Sequence, residues 1–377
     1  MMDLLTILII LGIAQGIFLG ISLLTLNRGN QKANRVMGIL MILFSVSISH
    51  IVFYNLNLFQ KFPHFHMISH PPVYLFGPLF LLYVLYYTKP DFELKQVHLL
   101  HGLPFVAYVL YLMPFYLLSG EEKLVHMAQY VEQLTVIDYL VTPSQIVLLF
   151  IYLYFVNRLV RDHEERIKKA YSSIEGINLS WVKMLIKMLV AVFAFMAVLV
   201  VFMLTGLQDF VYSYGMEIMA LMVAVAMYIA GYYSLQQPEV FAGGEINALK
   251  QQQEKSGLDE KRANSLLEQL TAFMEEEKPY RNSDLTIKEL AEQAGIPGYI
   301  LSQLINEELD QNFFDFVNRY RIDEAKEKLS DPQNENLTIL SIAYDVGFNS
   351  KSVFNTAFKK YEDTTPSQFR KASLTLN

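Results

Sequence analysis

Five polar side chains near the C-terminus recur at the spacing of one helix face: Lys351, Ser352, Asn355, Thr356 and Lys359. Ammonium, hydroxyl and amide groups in this arrangement can bind DNA phosphates and the base edges that the major groove exposes. A solvated surface helix of a small bundle would have the same pattern. The spacing alone therefore leaves both interpretations open.

The opposite face of this helix is apolar, at spacings of three and four residues, and consists of Val353, Phe354, Ala357, Phe358 and Tyr361. A preceding helix is expected to begin after Thr338 and to end at Gly347, because glycine accepts the left-handed conformation beyond a helix. Asn349 or Ser350 can cap the polar helix. Pro366, after Thr365, begins a further short helix. Residues 338–361 are therefore predicted to form a helix-turn-helix.

A second pattern of the same kind lies upstream, over residues 286–309. Thr286 and Glu289 have the spacing of a capping box, and Gly295 ends the helix that follows. The candidate second helix runs from Pro297 to Glu308. The C-terminal part of the chain is thus predicted to contain two helix-turn-helix motifs.

The residue order of both motifs closely resembles that of AraC-type transcription regulators. The matching residues of the second motif are Ile342, Ala343, Gly347, Phe348, Ser352, Phe354, Phe358, Lys359, Lys360, Thr365, Pro366 and Arg370. Those of the first motif are Leu290, Ala291, Gly295, Leu301, Ser302 and Ile305. Asp310 and Asp363 stand where the family usually has glycine, and aspartate tolerates a left-handed turn better than most residues.

The resemblance covers about Asp284 to Lys371, a quarter of the chain, and includes a connecting helix over residues 312–330. At about 1.5 Å per residue this helix spans roughly 30 Å. Successive major-groove faces are roughly 34 Å apart. The resemblance therefore implies that the two motifs read neighbouring grooves of one duplex.

The resemblance also implies which side chains contact DNA. Base-edge contacts fall on Tyr299, Ser302 and Gln303 in the first motif and on Lys351, Ser352, Asn355 and Thr356 in the second. Phosphate contacts fall on Lys359, Lys360, Arg370 and Lys371. A solvated helix face remains the alternative for each of them.

The charge balance limits this interpretation. The chain has a formal net charge of −7, which argues against general affinity for nucleic acid. Residues 258–377 contain 14 Lys and Arg but 21 Asp and Glu, whereas residues from Lys351 onward contain 5 basic and 2 acidic residues. The second motif is therefore expected to dominate phosphate attraction, with modest affinity that dimerisation would increase.

The first two-thirds of the chain accounts for its high hydrophobic content of 53%. A bilayer core requires about 20 apolar residues per helix. Seven stretches without Asp, Glu, Lys or Arg meet or approach this length: 4–26, 36–59, 73–88, 98–118, 140–157, 188–207 and 218–238. The third and fifth are short. These stretches predict a bundle of seven transmembrane helices.

Basic residues in the predicted loops favour one orientation. The loops on one side contain 12 Lys and Arg, whereas those on the other contain only Lys61 and Lys123. Basic loops face the cytoplasm. The pattern predicts a multi-pass membrane protein with the amino terminus outside and the carboxyl terminus in the cytoplasm, and the resemblance implies a bacterial inner membrane.

A few other residues could support metal binding, pH sensing or catalysis. His50, His64, His66 and His70 cluster at the predicted outer side. A metal site at His64, His66 and His70, or pH sensing, is the minor alternative to ordinary interfacial histidines. Cysteine is absent, and the sequence has neither a His-Glu-x-x-His pattern nor a Gly-x-Ser-x-Gly pattern. We therefore expect no enzyme activity, no cofactor and no metal.

These observations predict an all-α chain in three parts: a sensor domain over 1–240, a helical linker over 241–278 with an amphipathic helix at 259–277, and a DNA-binding domain over 279–377. The predicted function is a membrane-embedded one-component transcription regulator. Its expected partners are promoter DNA, the lipid bilayer, an unknown signal or ligand, a second copy, and RNA polymerase if it activates. The alternative is a transporter or channel with a cytoplasmic regulatory domain.

Overall fold

The computed structural model describes residues 3–89, 91–129, 136–174, 177, 179–207, 210–236 and 259–376. Over these ranges the regular elements are helices, and one isolated bridge pairs Tyr171 with Thr286. This confirms the predicted all-α class. The chain divides into two compact units. The apolar unit comprises Met1–Arg161 and Leu179–Val240, and the C-terminal unit comprises Asp162–Asn178 and Phe241–Asn377.

The described helices of the first two-thirds of the chain are α1 (Leu4–Thr25), α2 (Gln31–Asn55), α3 (Val73–Thr88), α4 (Leu103–Tyr116), α5 (Gly120–Gln129), α6 (Val136–Lys168), α7 (Ser180–Leu204) and α8 (Met216–Gln236). A 3-10 helix over Gln96–Gly102 leads into α4. The regular elements described in the apolar unit are thus helices.

Six of the described helical stretches are long and apolar enough to cross a membrane, and one of them is α4 together with the 3-10 helix that leads into it (Gln96–Tyr116); α3 and α5 are not among them. The predicted third span, α3, is apolar but has 16 residues, fewer than the about 20 that a bilayer core requires. The structure thus has six candidate spans and one shorter apolar helix where the sequence predicts seven spans.

Two helices extend beyond the apolar stretches that predict them. Helix α2 begins at Gln31, five residues before the predicted span, because the Asn30 side chain accepts a hydrogen bond from the Ala33 N–H and caps it there. Helix α6 has 33 residues and continues to Lys168, past the predicted end at Asn157. Hydropathy marks the apolar part of a helix, whereas backbone hydrogen bonding continues through polar residues.

The core of the apolar unit is centred on α2, which packs closely against α1. A Cβ atom added at Gly38 would lie 2.7 Å from the Gly20 carbonyl oxygen, so the two backbones touch where both residues are glycine. Close approach at small residues is the usual way that apolar helices associate in a bilayer. The buried side chains around this contact include Met37, Met41 and Phe44.

The C-terminal unit contains α9 (Glu260–Glu276), α10 (Ile287–Ala294), α11 (Gly298–Gln303), α12 (Phe313–Ser330), α13 (Ile339–Asp345), α14 (Lys351–Glu362) and α15 (Pro366–Leu376). Helix α12 is shared by two apolar cores. Its first half buries Phe313, Phe316 and Val317 with α9 to α11, and its second half buries Ile322, Ala325 and Leu329 with α13 to α15. The connecting helix therefore joins two small subdomains.

The structure also locates the predicted linker in part. The amphipathic helix expected at 259–277 is α9, which buries Ala263 and Leu270 in the core of the first motif. Its Gln269 amide donates to the Ala294 carbonyl at 2.8 Å. Helix α9 is thus part of the C-terminal unit, and residues 241–258 of the predicted linker lie outside the described residues.

Residues 162–178 are grouped differently from the sequence-based division, which placed them in the domain over 1–240. The structure assigns them to the C-terminal unit, although they lie between α6 and α7 in the chain. The Ser172 N–H donates to the Leu285 carbonyl at 3.1 Å, and the Ile287 N–H donates to the Ala170 carbonyl at 2.9 Å. Hydropathy carries no signal for such long-range backbone pairing.

Candidate nucleic-acid interface

The first motif, α10 and α11, has the local geometry that its sequence predicts. The Thr286 hydroxyl accepts from the Glu289 N–H at 3.2 Å, and the Glu289 carboxylate accepts from the Thr286 N–H at 2.9 Å. Gly295 follows α10 with φ of 66°. The capping box and the left-handed turn therefore fix the angle at which α11 leaves α10.

The predicted base-reading residues of this motif are largely covered. Ser302 is 8% exposed, and its carbonyl and hydroxyl oxygens accept from the Asn306 amide at 2.6 and 3.2 Å. Tyr299 packs partly buried against the core, and the Gln303 amide donates to Glu307 at 2.8 Å. Glu307 and Glu308 are exposed beside them. This surface of the first motif is thus acidic, and its polar groups bond within the chain.

The turn of the second motif requires glycine on two grounds. Gly347 has φ of 98°, a backbone conformation that residues with a side chain rarely adopt. A Cβ atom added at this position would lie 2.5 Å from the Tyr280 carbonyl oxygen. The Thr338 hydroxyl caps α13, and the Ser350 hydroxyl caps α14 by accepting from Val353. Asp363 ends α14 at φ of 53° and so adopts the left-handed turn without glycine.

Helix α14 presents the polar face that its spacing predicts. Phe354 and Phe358 are fully buried in the core of the second subdomain. On the other side Lys351, Ser352, Thr356 and Lys359 are exposed and Asn355 is half-buried. The Thr356 hydroxyl donates to the Ser352 carbonyl at 2.9 Å, an intrahelical bond in which the hydroxyl oxygen can still accept a hydrogen bond. Ammonium, amide and hydroxyl groups therefore lie together on one accessible face.

Two predicted phosphate contacts have intramolecular partners. The Lys360 ammonium donates to the Asp315 carboxylate at 2.6 Å. Burial raises the pKa of Asp315, but hydrogen bonding to Lys360 and Tyr361 outweighs it and leaves this pKa below its ordinary value. The Arg370 guanidinium is half-buried and donates to the Leu337 carbonyl at 2.7 Å. Lys360 and Arg370 are thus each bonded within the chain, and Lys360 remains exposed beside Lys351 and Lys359 on α14.

Arg321 of α12 is the residue whose importance the sequence pattern understates. It is 1% exposed, between the two cores, and burial lowers its pKa to about 10. Its guanidinium donates to the carbonyls of Tyr280 and Asn282 at 2.7 and 2.8 Å and to the Asn318 side chain at 3.1 Å. The carbonyl and hydroxyl of Ser172 accept from it as well. The signal available in the sequence was an arginine among apolar core positions.

The histidines of the apolar unit do not converge on a metal. Within the described ranges there is no group of three or more His, Asp or Glu side chains placed to hold an ion. The Lys123 ammonium lies 2.8 Å from His64 Nδ1, where a cation would be repelled. The His66 ring packs against Phe59, and burial together with the neighbouring His70 lowers its pKa to about 4. His66 is thus neutral near pH 7.

Comparison with known proteins concerns the same part of the chain. Residues 290–372 match the model of a helix-turn-helix domain family. Over 90 residues the chain is 31% identical to the probable transcription factor PqrA of Proteus vulgaris, an alignment that covers 24% of this chain and 71% of that protein.

Larger relatives match over a similar length. The chain is 36% identical over 89 residues to an uncharacterized HTH-type transcriptional regulator of Staphylococcus aureus (strain COL), and equally to one of strain N315. Each alignment covers 24% of this chain but 12% of the relative. No solved structure matches the chain.

Proposed function

Because the chain belongs to the AraC-type family of helix-turn-helix transcription regulators, we propose that it binds promoter DNA in a sequence-specific manner and does so from a membrane. In this proposal α14 enters the major groove and the apolar helices anchor the reader and receive a signal. No covalent chemistry is needed. A signal would act by shifting the population between binding-competent and incompetent forms of the C-terminal unit.

The observation that carries the DNA-binding proposal is the exposed face of α14. Its buried phenylalanines fix the helix on the subdomain core, so the face has one orientation. Lys351, Ser352, Asn355 and Thr356 are our candidates for base-edge contacts. Lys359 is our candidate for a phosphate contact, which would position the helix without reading sequence. In the first motif, Tyr299 and Gln303 remain candidates, with a smaller accessible surface.

The membrane part of the proposal rests on apolar length and loop charge. Six described helices have the length and composition of spans. When α3 is counted as a seventh crossing, the basic residues cluster in alternate loops, which favours a cytoplasmic carboxyl terminus. With six crossings the two termini would share a side. An amino terminus outside and a carboxyl terminus in the cytoplasm therefore require α3 to cross the membrane as well, although it has only 16 residues.

The DNA-binding proposal is tested with the full-length protein in lipid nanodiscs. We expect selection from a random duplex library to enrich one sequence motif, and binding to that motif to weaken steeply with salt. The matched control is the variant Lys351→Ala/Ser352→Ala/Asn355→Ala, which should enrich no motif. Equal enrichment by the control and the native chain, or none by either, would refute reading by α14.

A separate experiment tests the orientation. Alkaline phosphatase, which is active only outside the cytoplasm, is fused to the carboxyl terminus or inserted after Lys61. The insertion should be active and the terminal fusion inactive. The reverse result would contradict the proposed orientation without bearing on DNA binding.

A further inference from the structure

Four residues between α6 and α7 are built into the DNA-binding unit. We call residues 170–173 the docked loop. The Ser172 N–H donates to Leu285 and the Ile287 N–H donates to Ala170, so the loop pairs as an antiparallel bridge with the residues around Thr286. Thr286 is the N-cap of α10. The loop is therefore bonded to the beginning of the first motif.

The same loop completes the surroundings of the buried Arg321. Arg321 Nη1 donates to the Ser172 carbonyl at 3.2 Å and Nη2 donates to the Ser172 hydroxyl at 3.1 Å. The Asn318 amide also donates to the Ser172 carbonyl, at 3.4 Å. A guanidinium has donors that diverge in a fixed fork, so one group can hold the loop and the domain together. The loop is thus bonded to the connecting helix α12.

The loop also reaches the second motif. The Asn349 amide donates to the Ser173 hydroxyl at 3.2 Å and to the Asp284 carboxylate at 3.3 Å. The next residue, Ser350, caps the reading helix α14. Docking therefore joins the start of the first motif, the connecting helix and the N-terminus of α14.

The docked loop provides only some of the hydrogen bonds that Arg321 makes in the domain. Without the loop, Arg321 would still donate to the carbonyls of Tyr280 and Asn282 and to the side chain of Asn318, which all belong to the domain itself. The loop makes both polar and apolar contacts, and the apolar ones are those of Ala170, which is buried in the first core, and of Tyr171, which packs against it partly buried. Because both subdomains keep apolar cores built from their own helices, we expect them to stay folded when the loop leaves, as a switch requires.

We propose that the docked loop is the element through which α6 and α7 control DNA binding, by holding the two motifs at the spacing that reads DNA. The loop is covalently continuous with both helices, and each is long and apolar enough to cross a membrane. A signal that shifts α6 against α7 would withdraw the loop and loosen the two motifs. This inference rests on the proposed function, and the segment that docks at Arg321 is the loop of the same chain.

The first experiment tests docking independently of DNA. The chain contains no cysteine, so Ser173→Cys and Asn349→Cys introduce the only two thiols. A protease site is inserted after Lys250, and membranes are treated with a short thiol-specific crosslinker and then with the protease. Docking predicts that the two fragments stay joined, whereas either single variant separates. Separation in the double variant, or a crosslinked dimer before proteolysis, would overturn docking within one chain.

The second experiment tests control of DNA binding. Ser172→Pro removes the N–H that bonds Leu285 and the hydroxyl that bonds Arg321. We expect it to lower the affinity of the nanodisc protein for the selected duplex about fivefold or more, the lower range for coupled sites. The control Lys169→Ala, at an exposed neighbouring residue, should leave the affinity unchanged.

Further measurements distinguish a loss of docking from misfolding of the variant. Ser173→Ala removes only the bond to Asn349 and should lower the affinity by a smaller factor, and pulse proteolysis should show all three variants folded. An unchanged or higher affinity in a folded Ser172→Pro variant would overturn the inference. If the native chain selects no duplex but the cysteine pair still joins the fragments, the proposed function fails and docking stands.

Discussion

The two helix-turn-helix motifs share a scaffold but not a surface. Each begins with a threonine cap, Thr286 or Thr338, and each turns through a glycine in the left-handed conformation. The faces that follow differ. Around Gln303 the exposed residues include Glu307 and Glu308, whereas α14 exposes Lys351 and Lys359. Caps and apolar spacing thus set the scaffold, while the outward positions differ between the two motifs and set the chemistry.

This difference suggests unequal roles for the two motifs. DNA carries a dense negative charge, so the electrostatic attraction of an acidic protein face to DNA is weaker than that of a basic face. The second motif would provide most of the attraction and base reading. The first motif would fix position along the duplex through its rigid connection by α12. The following predictions test this inequality, from the largest expected effect to the smallest.

The largest effect is expected at Arg321, which both motifs share. Arg321→Ala would leave several buried carbonyl oxygens without a donor, and the free energy of unfolding of the C-terminal unit should fall by about 3–4 kcal/mol. Urea-dependent pulse proteolysis of the full-length protein measures this. Arg319→Ala, an exposed arginine on the same helix, should change it by less than about 0.5 kcal/mol. Equal loss in the two variants would contradict the role of Arg321.

The next effect concerns the exposed lysines of α14. Lys351→Ala/Lys359→Ala should weaken binding to the selected duplex about tenfold, and the slope of log affinity against log salt should become shallower by about 1–2. Fluorescence anisotropy across a salt series gives both quantities. Lys360→Ala, whose ammonium is held by Asp315, should cost about twofold or less. A larger loss from Lys360→Ala than from the double variant would reverse our assignment.

Sequence preference separates the motifs in another way. Asn355→Ala should relax discrimination at one base pair by about tenfold, because an amide that pairs with a base edge is lost. A panel of single-base variants of the selected duplex measures it. Ser302→Ala should leave discrimination intact, since Ser302 is buried and bonded to Asn306. Relaxed preference in Ser302→Ala instead would assign base reading to the first motif.

The smallest effect is expected on the acidic face of the first motif. Glu308→Gln should raise the affinity for DNA about twofold at low salt and leave sequence preference unchanged, because it removes a repulsion that salt screens. Glu276→Gln makes the same change in charge on the exposed side of α9 and serves as the control. No difference between these variants would mean that the first motif lies far from the phosphates.

Local features of both units were predictable from the sequence. The caps at Thr286, Thr338 and Ser350, the turn at Gly347 and the buried face of α14 all follow from residues within four positions of one another. The apolar lengths likewise predicted the apolar helices of the first two-thirds, but not α5. The ends of α6 were less predictable, since hydropathy does not determine where a helix stops, whereas α3 has the bounds that the sequence predicts.

Partners distant in sequence were not predictable. Lys360 and Asp315 are separated by 45 positions, and Arg321 and Ser172 by 149. No spacing rule relates such residues. The pattern therefore assigned Lys360 and Arg370 to phosphates, whereas the fold gives both an intramolecular acceptor.

The sequence by itself determined that the chain is helical, that its first two-thirds is apolar enough for a membrane, and that its end contains two AraC-type motifs. These properties depend on composition and on contacts within one or two helical turns. Only the tertiary structure decided which polar side chains remain accessible and which segment completes the buried shell of Arg321. The physical reason is that a buried charge takes its hydrogen-bond partners from whichever segments the packing brings together, irrespective of their separation along the chain.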